Sequence, residues 1–158
     1  MSKEALIIFQ KNLELGKVKT RLAKDLGDEY ALDIFKQLCS HTYQVSDQLA
    51  QKKFLFYSSF IPEDSDWSVR NSELRLQRGQ DLGKRMFLAI KQVIESGFEK
   101  VVLIGTDCPE ISTEILKESF MFLDSHEVVL GPAKDGGYYL IGMKRPILEI
   151  FENIPWST

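Results

Sequence analysis

The chain has two cysteines, two histidines and no excess of positive charge, and each shortage excludes something. Cys39 and Cys108 form no Cys-x-x-Cys pair and show no zinc-ligand spacing, so neither a disulfide framework nor a structural zinc site is expected. A reducing cytoplasm is the expected compartment. A formal net charge of −3 argues against broad binding to nucleic acid or a membrane surface, because both need a basic excess. It leaves room for a local basic pocket that holds one small anion. No apolar run approaches the roughly 20 residues that cross a bilayer. The start, MSKEALIIFQ, has no signal-peptide cleavage pattern and reads as a first strand. The glycine-rich phosphate signatures are missing too. Gly16-Lys17 is followed by Val18 rather than Ser or Thr, which excludes a P-loop, and no GxGxxG is present.

What remains is an ordinary globular composition, with 158 residues and 44% hydrophobic residues, enough to bury a real core. There is no repeat, low-complexity tract or linker, so one domain over residues 1–158 is expected. The continuous apolar run at 5–9 predicts a strand covered on both faces. A loop follows through Arg21. Ala31, Ile34, Phe35, Leu38, Thr42, Val45 and Leu49 recur at helical steps, with Asp28 as the N-cap. Strands are predicted at 54–57 and 74–77, with a polar loop at 62–68 between them. A turn at 79–83 then leads into a helix striped by Leu82, Met86, Ile90, Val93 and Ile94, which ends at Gly97. VVLIG at 101–105 is the strongest buried strand. Ser112 caps a helix with Ile115, Leu116, Phe120 and Leu123 on its inner face, and strands at 127–131 and 138–143 complete the pattern. Alternating strands and helices predict an α/β fold, a mostly parallel sheet with helices on both faces. Such sheets bind ligands at the carboxyl ends of their strands. The loop at 10–21 and the turns at 79–85, 105–109 and 132–137 are therefore expected to share one rim.

Each candidate on that rim has a plainer alternative. Lys17, Lys19 and Arg21 put cations after the first strand, where backbone N–H groups and an arginine fork can grip phosphate; otherwise they form a solvated loop. Asp107 follows a fully apolar strand. It either holds a hard divalent cation on oxygen or caps the turn. In Asp135-Gly136-Gly137 the glycines permit close approach of a ligand; alone, the segment reads as a hairpin turn. Lys84 and Arg85 lie one helical turn from the rim and could reach an anionic substrate. Asp81 reads as an N-cap rather than a catalytic group. Cys108 reads as a small packing residue, since no histidine lies near it in sequence to activate a thiolate.

Four blocks, in order, resemble one family: FQK (9–11) running on to GKVKTRL (16–22), QRGQDLGKRM (77–86), GTDCP (105–109) and GPAKDGGYYLIG (131–142). The family is bacterial, made up of GT-A-type, nucleotide-diphospho-sugar-transferase-like proteins, often labelled glycosyltransferases or radical-SAM- and selenodomain-associated transferases. The resemblance covers essentially the whole chain and implies a three-layer, Rossmann-like GT-A fold. It is also similar in layout to guanylyl- and cytidylyltransferases. It implies that Lys19 and Arg21 contact phosphates; Lys17, Arg85, Gly136 and Gly137 complete the phosphate-binding candidates on the residue reading above. It further implies that Asp107 holds Mg2+ or Mn2+, with Asp135 as a second carboxylate or an acceptor-side residue. Asn12-Leu13 stands where the family carries a proline before the glycine, which implies a less rigid loop. The family also continues past residue 158, so a C-terminal continuation is expected.

The functional expectation is a metal-dependent transferase that uses a nucleotide-sugar or nucleoside triphosphate and passes a glycosyl or nucleotidyl group to a small acceptor. The alternative is a nucleotide- or partner-binding module without turnover, which the missing glycine-rich signature and the lack of an evident base both feed.

Overall fold

The computed structural model describes residues 3–14, 16–62, 72–133 and 138–152. Its elements are β1 (Glu4–Gln10), α1 (Thr20–Leu26), α2 (Asp28–Asp47), β2 (Lys52–Tyr57), β3 (Ser72–Leu76) and α3 (Leu82–Glu95). They continue with β4 (Lys100–Gly105), α4 (Thr113–Phe122), β5 (Val128–Pro132), β6 (Tyr138–Met143) and α5 (Leu148–Glu152). The strands form one sheet in the order β3-β2-β1-β4-β6-β5. β3, β2, β1 and β4 run parallel, and β6 is antiparallel to both β4 and β5. This is the mostly parallel α/β sheet expected from the sequence.

β1 lies at the centre because its run is apolar on both faces. Ile8 pairs with Leu55 on one side and Ile104 on the other. Leu6 and Ile8 pack with Leu55, Val102 and Ile104 beneath Phe35 and Cys39 of α2 and Leu116 and Phe120 of α4. Ala5, Ile7 and Phe9 turn the other way, to Phe54, Phe56, Val101 and Leu103 beneath Met86, Ile90 and Val93 of α3 and Phe151 of α5. A one-residue slip would exchange the two sets, so two-sided burial fixes the register. Gly142 shows how closely β6 is packed. A Cβ there would stand 2.7 Å from Val129 Cγ1 and 3.0 Å from Val102 Cγ2.

Two expected caps are present. The Asp81 side chain accepts from Lys84 N at 2.8 Å, and the Ser112 hydroxyl accepts from Ile115 N at 3.2 Å. Two helices were not anticipated. α1 begins inside the segment read as a loop; it has seven residues, no side-chain N-cap and little buried surface to show as a stripe. Gly27, at φ 96°, turns the chain between α1 and α2 and is itself the N-cap of α2, so Asp28 is the first helical residue rather than the cap. α5 has only five residues and is anchored by the Phe87–Phe151 ring contact. Residues 63–68 of the expected polar loop lie outside the described residues. Among the described residues, no helix is long and apolar enough to cross a membrane.

Candidate active site at the carboxyl edge of the sheet

Parallel pairing brings the ends of β1, β2, β3 and β4 to one edge. β6 runs the other way, and Pro132 of β5 pairs with Tyr138 of β6, so the end of β5 and the start of β6 lie at that same edge. The strand order reverses between β1 and β4, the place where open α/β sheets bind ligands.

Lys19 and Asp107 meet at this reversal. Lys19 Nζ lies 2.6 Å from Asp107 Oδ1, joining the loop after β1 to the turn after β4. The contact depends on backbone placement. Val18, 1% exposed, is buried in the core on the α2 face, and Lys19 beside it adopts a left-handed conformation, φ 49° and ψ 49°. That conformation costs a non-glycine residue about 1 to 2 kcal/mol. The ion pair, with 70% of the Asp107 side chain exposed, returns about 0.2 to 1 kcal/mol. Burial of Val18, at about 1.5 to 3 kcal/mol, is the term large enough to hold the loop in place. Lys17, two residues earlier, points into solvent and pairs with Glu14 at 3.3 Å. Arg21 sits in the first turn of α1, with its side chain outside the described set.

The neighbouring loops are stitched together by the side chains of Asn12 and Arg85. Asn12, 3% exposed, donates from Nδ2 to Phe60 O at 2.8 Å. Its Oδ1 accepts from Ser59 N at 2.8 Å and Phe60 N at 3.1 Å, and its own N–H donates to Ser58 Oγ at 3.2 Å. Asn12 thus anchors the loop through hydrogen bonds, where the resemblance implied a less rigid loop. Arg85 donates from Nε to Gly79 O at 3.1 Å and from Nη1 to Ser58 O and Gln77 Oε1 at 3.2 and 3.3 Å. It therefore ties the ends of β2 and β3 to the start of α3.

Helix α2 braces the chain that follows Asp107. The Tyr43 hydroxyl donates to Gln10 Oε1, and His41 Nε2 donates to Ile111 O at 2.9 Å, since a carbonyl can only accept. Thr113 Oγ1 donates to Val45 O at 3.0 Å, so α2 holds the end of the β4–α4 loop and the first residue of α4. Burial pushes the Cys39 thiol up to about 12; a hydrogen bond with Thr106 opposes this, and the Asp107 charge adds to it. Burial likewise holds the Tyr43 phenol above its ordinary range, with the Cys39 and Tyr57 charges adding and the Gln10 hydrogen bond opposing. Cys108 is half-buried and packs against the same core, as a packing residue would.

The raised thiol makes a stability prediction. Above about pH 9 the unfolded chain releases the Cys39 proton while the folded chain keeps it, so stability falls as pH rises towards 12. The slope contributed is up to about 1.4 kcal/mol per pH unit. Urea unfolding at pH 9 and 11 should show a flatter loss in Cys39→Ala than in the parent; equal slopes would contradict the assignment.

The remaining candidates, Asp135, Gly136 and Gly137, lie outside the described residues. Among the described residues, no group of three or more His, Cys, Asp or Glu side chains could cage a metal. A magnesium-type site does not require one, since such ions are held by one or two carboxylates together with substrate phosphates. The exposed Asp107 carboxylate, already drawn to a cation, fits that chemistry.

Comparison with known proteins agrees with the fold. A solved structure from Desulfovibrio desulfuricans G20, provisionally described as a nucleotide-diphospho-sugar transferase, is 31% identical over 99% of this chain and 71% of its own, with a TM-score of 0.87. A cytidylyltransferase from Leptospira borgpetersenii serovar Hardjo-bovis is 17% identical over 96% of this chain and 63% of its own, with a TM-score of 0.56. The Mycobacterium tuberculosis protein Rv0371c, in complex with manganese, is 11% identical over 96% and 76%, with a TM-score of 0.54. The last two show the fold alone. No curated protein matches the chain. A family model described as an uncharacterised protein conserved in bacteria, DUF2064, matches residues 38–158. With most of the chain matched by that model and its whole length aligned to a 31%-identical neighbour, this protein belongs to the DUF2064 family and has a nucleotide-diphospho-sugar-transferase-like fold.

Proposed function

We propose that this protein is a metal-dependent transferase that binds a nucleoside triphosphate or nucleotide-sugar at the β1/β4 reversal and passes a nucleotidyl or glycosyl group to a small acceptor. The observation that carries the reading is the Lys19–Asp107 pair, a cation and a carboxylate held together at the ligand-binding edge. The descriptions of the neighbours support it: a nucleotide-diphospho-sugar transferase, a cytidylyltransferase and a manganese complex.

In this reading Lys19 and Arg21 neutralise phosphate oxygens, Arg21 through its planar fork. Lys17 and Arg85 add positive potential on either side. Gly136 and Gly137 let the backbone approach the substrate, and Asp135 acts as second carboxylate or orients the acceptor. Asp107, with Asp135, would hold Mg2+ or Mn2+. Bound there, the ion supplies neutralisation of charge that builds on phosphate oxygens as the bond breaks. No side chain is assigned as base, because a loose phosphoryl-type transition state asks for little proton abstraction. Preorganised charge on anchored loops is then the main contribution of the protein. Two free thiols suit a cytoplasmic setting.

The test is thermal unfolding against a panel of nucleoside triphosphates and nucleotide-sugars, each with Mg2+, Mn2+ or EDTA. A ligand at about 100 times its Kd adds roughly 2.7 kcal/mol. For a chain of this size that raises Tm by roughly 5 to 10 °C. A metal-dependent shift with one nucleotide is the expected result and identifies the donor base. A flat panel contradicts the reading. Binding without product across a set of acceptors would favour a module without turnover.

A further inference from the structure

Asp107 already has a cation. The ammonium of Lys19, 88 residues away in sequence, sits 2.6 Å from its Oδ1. Lys19 reaches it from a left-handed backbone conformation at the start of α1, beside a buried valine. An exposed ion pair contributes little stability, less than that conformation costs, so the fold does not gain by making it. The residue's carbonyl accepts from Ala23 N at 2.9 Å and Val18 is buried next to it, so the backbone is held while the ammonium sits at the end of a flexible four-carbon stem.

We infer that Lys19 is the place-holding cation of Asp107, and that the site takes divalent metal as its complex with a polyphosphate rather than as the free ion. This rests on the transferase reading above. A lone dication reaching Asp107 meets the ammonium at the same carboxylate oxygen. It competes with that ammonium for the carboxylate and adds positive charge at the sheet edge without bringing an anion to offset it. A metal–polyphosphate complex brings its own acceptor oxygens. Lys19 moves its hydrogen bonds from Asp107 to a phosphate, the carboxylate is released to the metal, and the charges stay balanced. Lys19 thereby selects the form in which metal enters and couples nucleotide binding to metal binding.

The test measures retention of manganese by the full chain in equilibrium dialysis, with Mn2+ alone and with Mn2+ plus inorganic pyrophosphate. The variants are Lys19→Met, Lys19→Gln and Lys19→Arg. Removing one positive charge about 5 Å from a dication, in a water-like dielectric, tightens lone Mn2+ binding roughly tenfold. Lys19→Met and Lys19→Gln should show that gain, and either suffices if the other perturbs the start of α1. Lys19→Arg should stay near the parent. The order should reverse with manganese pyrophosphate, which the parent retains better than either neutral variant. If the parent takes up manganese pyrophosphate but the neutral variants hold lone Mn2+ no tighter, the place-holding role is wrong and the transferase reading stands. A gain that persists after Asp107→Asn is added locates the metal elsewhere and also overturns the inference. If no form retains manganese under any condition, the metal reading and the inference fall together.

Discussion

Asp107→Asn is expected to remove the metal-dependent part of nucleotide stabilisation. Asparagine keeps the shape of the side chain and an oxygen that can accept from Lys19, but it carries no charge to hold a divalent ion. With nucleotide and Mg2+ at the concentrations that shift the parent by roughly 5 to 10 °C, the variant should shift no further than it does in EDTA. Its unliganded Tm should barely move, because the pair it disturbs is exposed and worth about 0.2 to 1 kcal/mol. That contrast separates a ligand-binding role from a folding one. An undiminished metal-dependent shift would remove Asp107 from the site. A large loss of unliganded stability would instead assign it to capping the turn after β4.

Asn12→Leu is expected to destabilise the fold by about 2 to 3 kcal/mol, far more than most loop substitutions. Asn12 is buried, and its side chain serves Ser59 N, Phe60 N and Phe60 O at once. Leucine fits the volume and removes every one of those partners. A buried polar group left without a partner costs about 1 to 3 kcal/mol. Ser59 and Phe60 are exposed, so water recovers part of the loss and the full sum is not expected. Urea unfolding should give a lower midpoint with an unchanged slope. A change under about 0.5 kcal/mol would mean that the 58–60 loop stands without Asn12.

The two substitutions probe parts of the site that differ in how far they could be read from sequence. Asp107 stood out because a carboxylate follows an apolar strand, a local contrast visible in the chain itself. Asn12 drew notice only as a departure from a family pattern, and its hydrogen-bond partners lie 46 to 48 residues away. Gln10 ends β1 and receives the Tyr43 hydroxyl, 33 residues on. A polar residue closing an apolar strand was the available signal for it. Arg85 was read as a phosphate ligand from its nearness to the rim, whereas its bonds to Ser58, Gln77 and Gly79 give it a loop-holding role as well. The short helix α1 escaped because seven mostly exposed residues bury too little to impose a period.

By itself, the sequence determined the strands, the long helices, the caps at Asp81 and Ser112 and the mostly parallel α/β order. These follow from burial, whose period is local to each segment, and from short-range hydrogen bonds. The four blocks further implied the family. Only the tertiary structure decided that Lys19 faces Asp107, that Lys17 faces solvent and that Asn12 and Arg85 hold the loops between them. The physical reason is that the Lys19–Asp107, Asn12–Phe60 and Arg85–Ser58 pairings join segments 27 to 88 residues apart in the chain. The direction of Lys19 depends on its own left-handed conformation and on one buried valine, and no periodicity of the sequence carries that information.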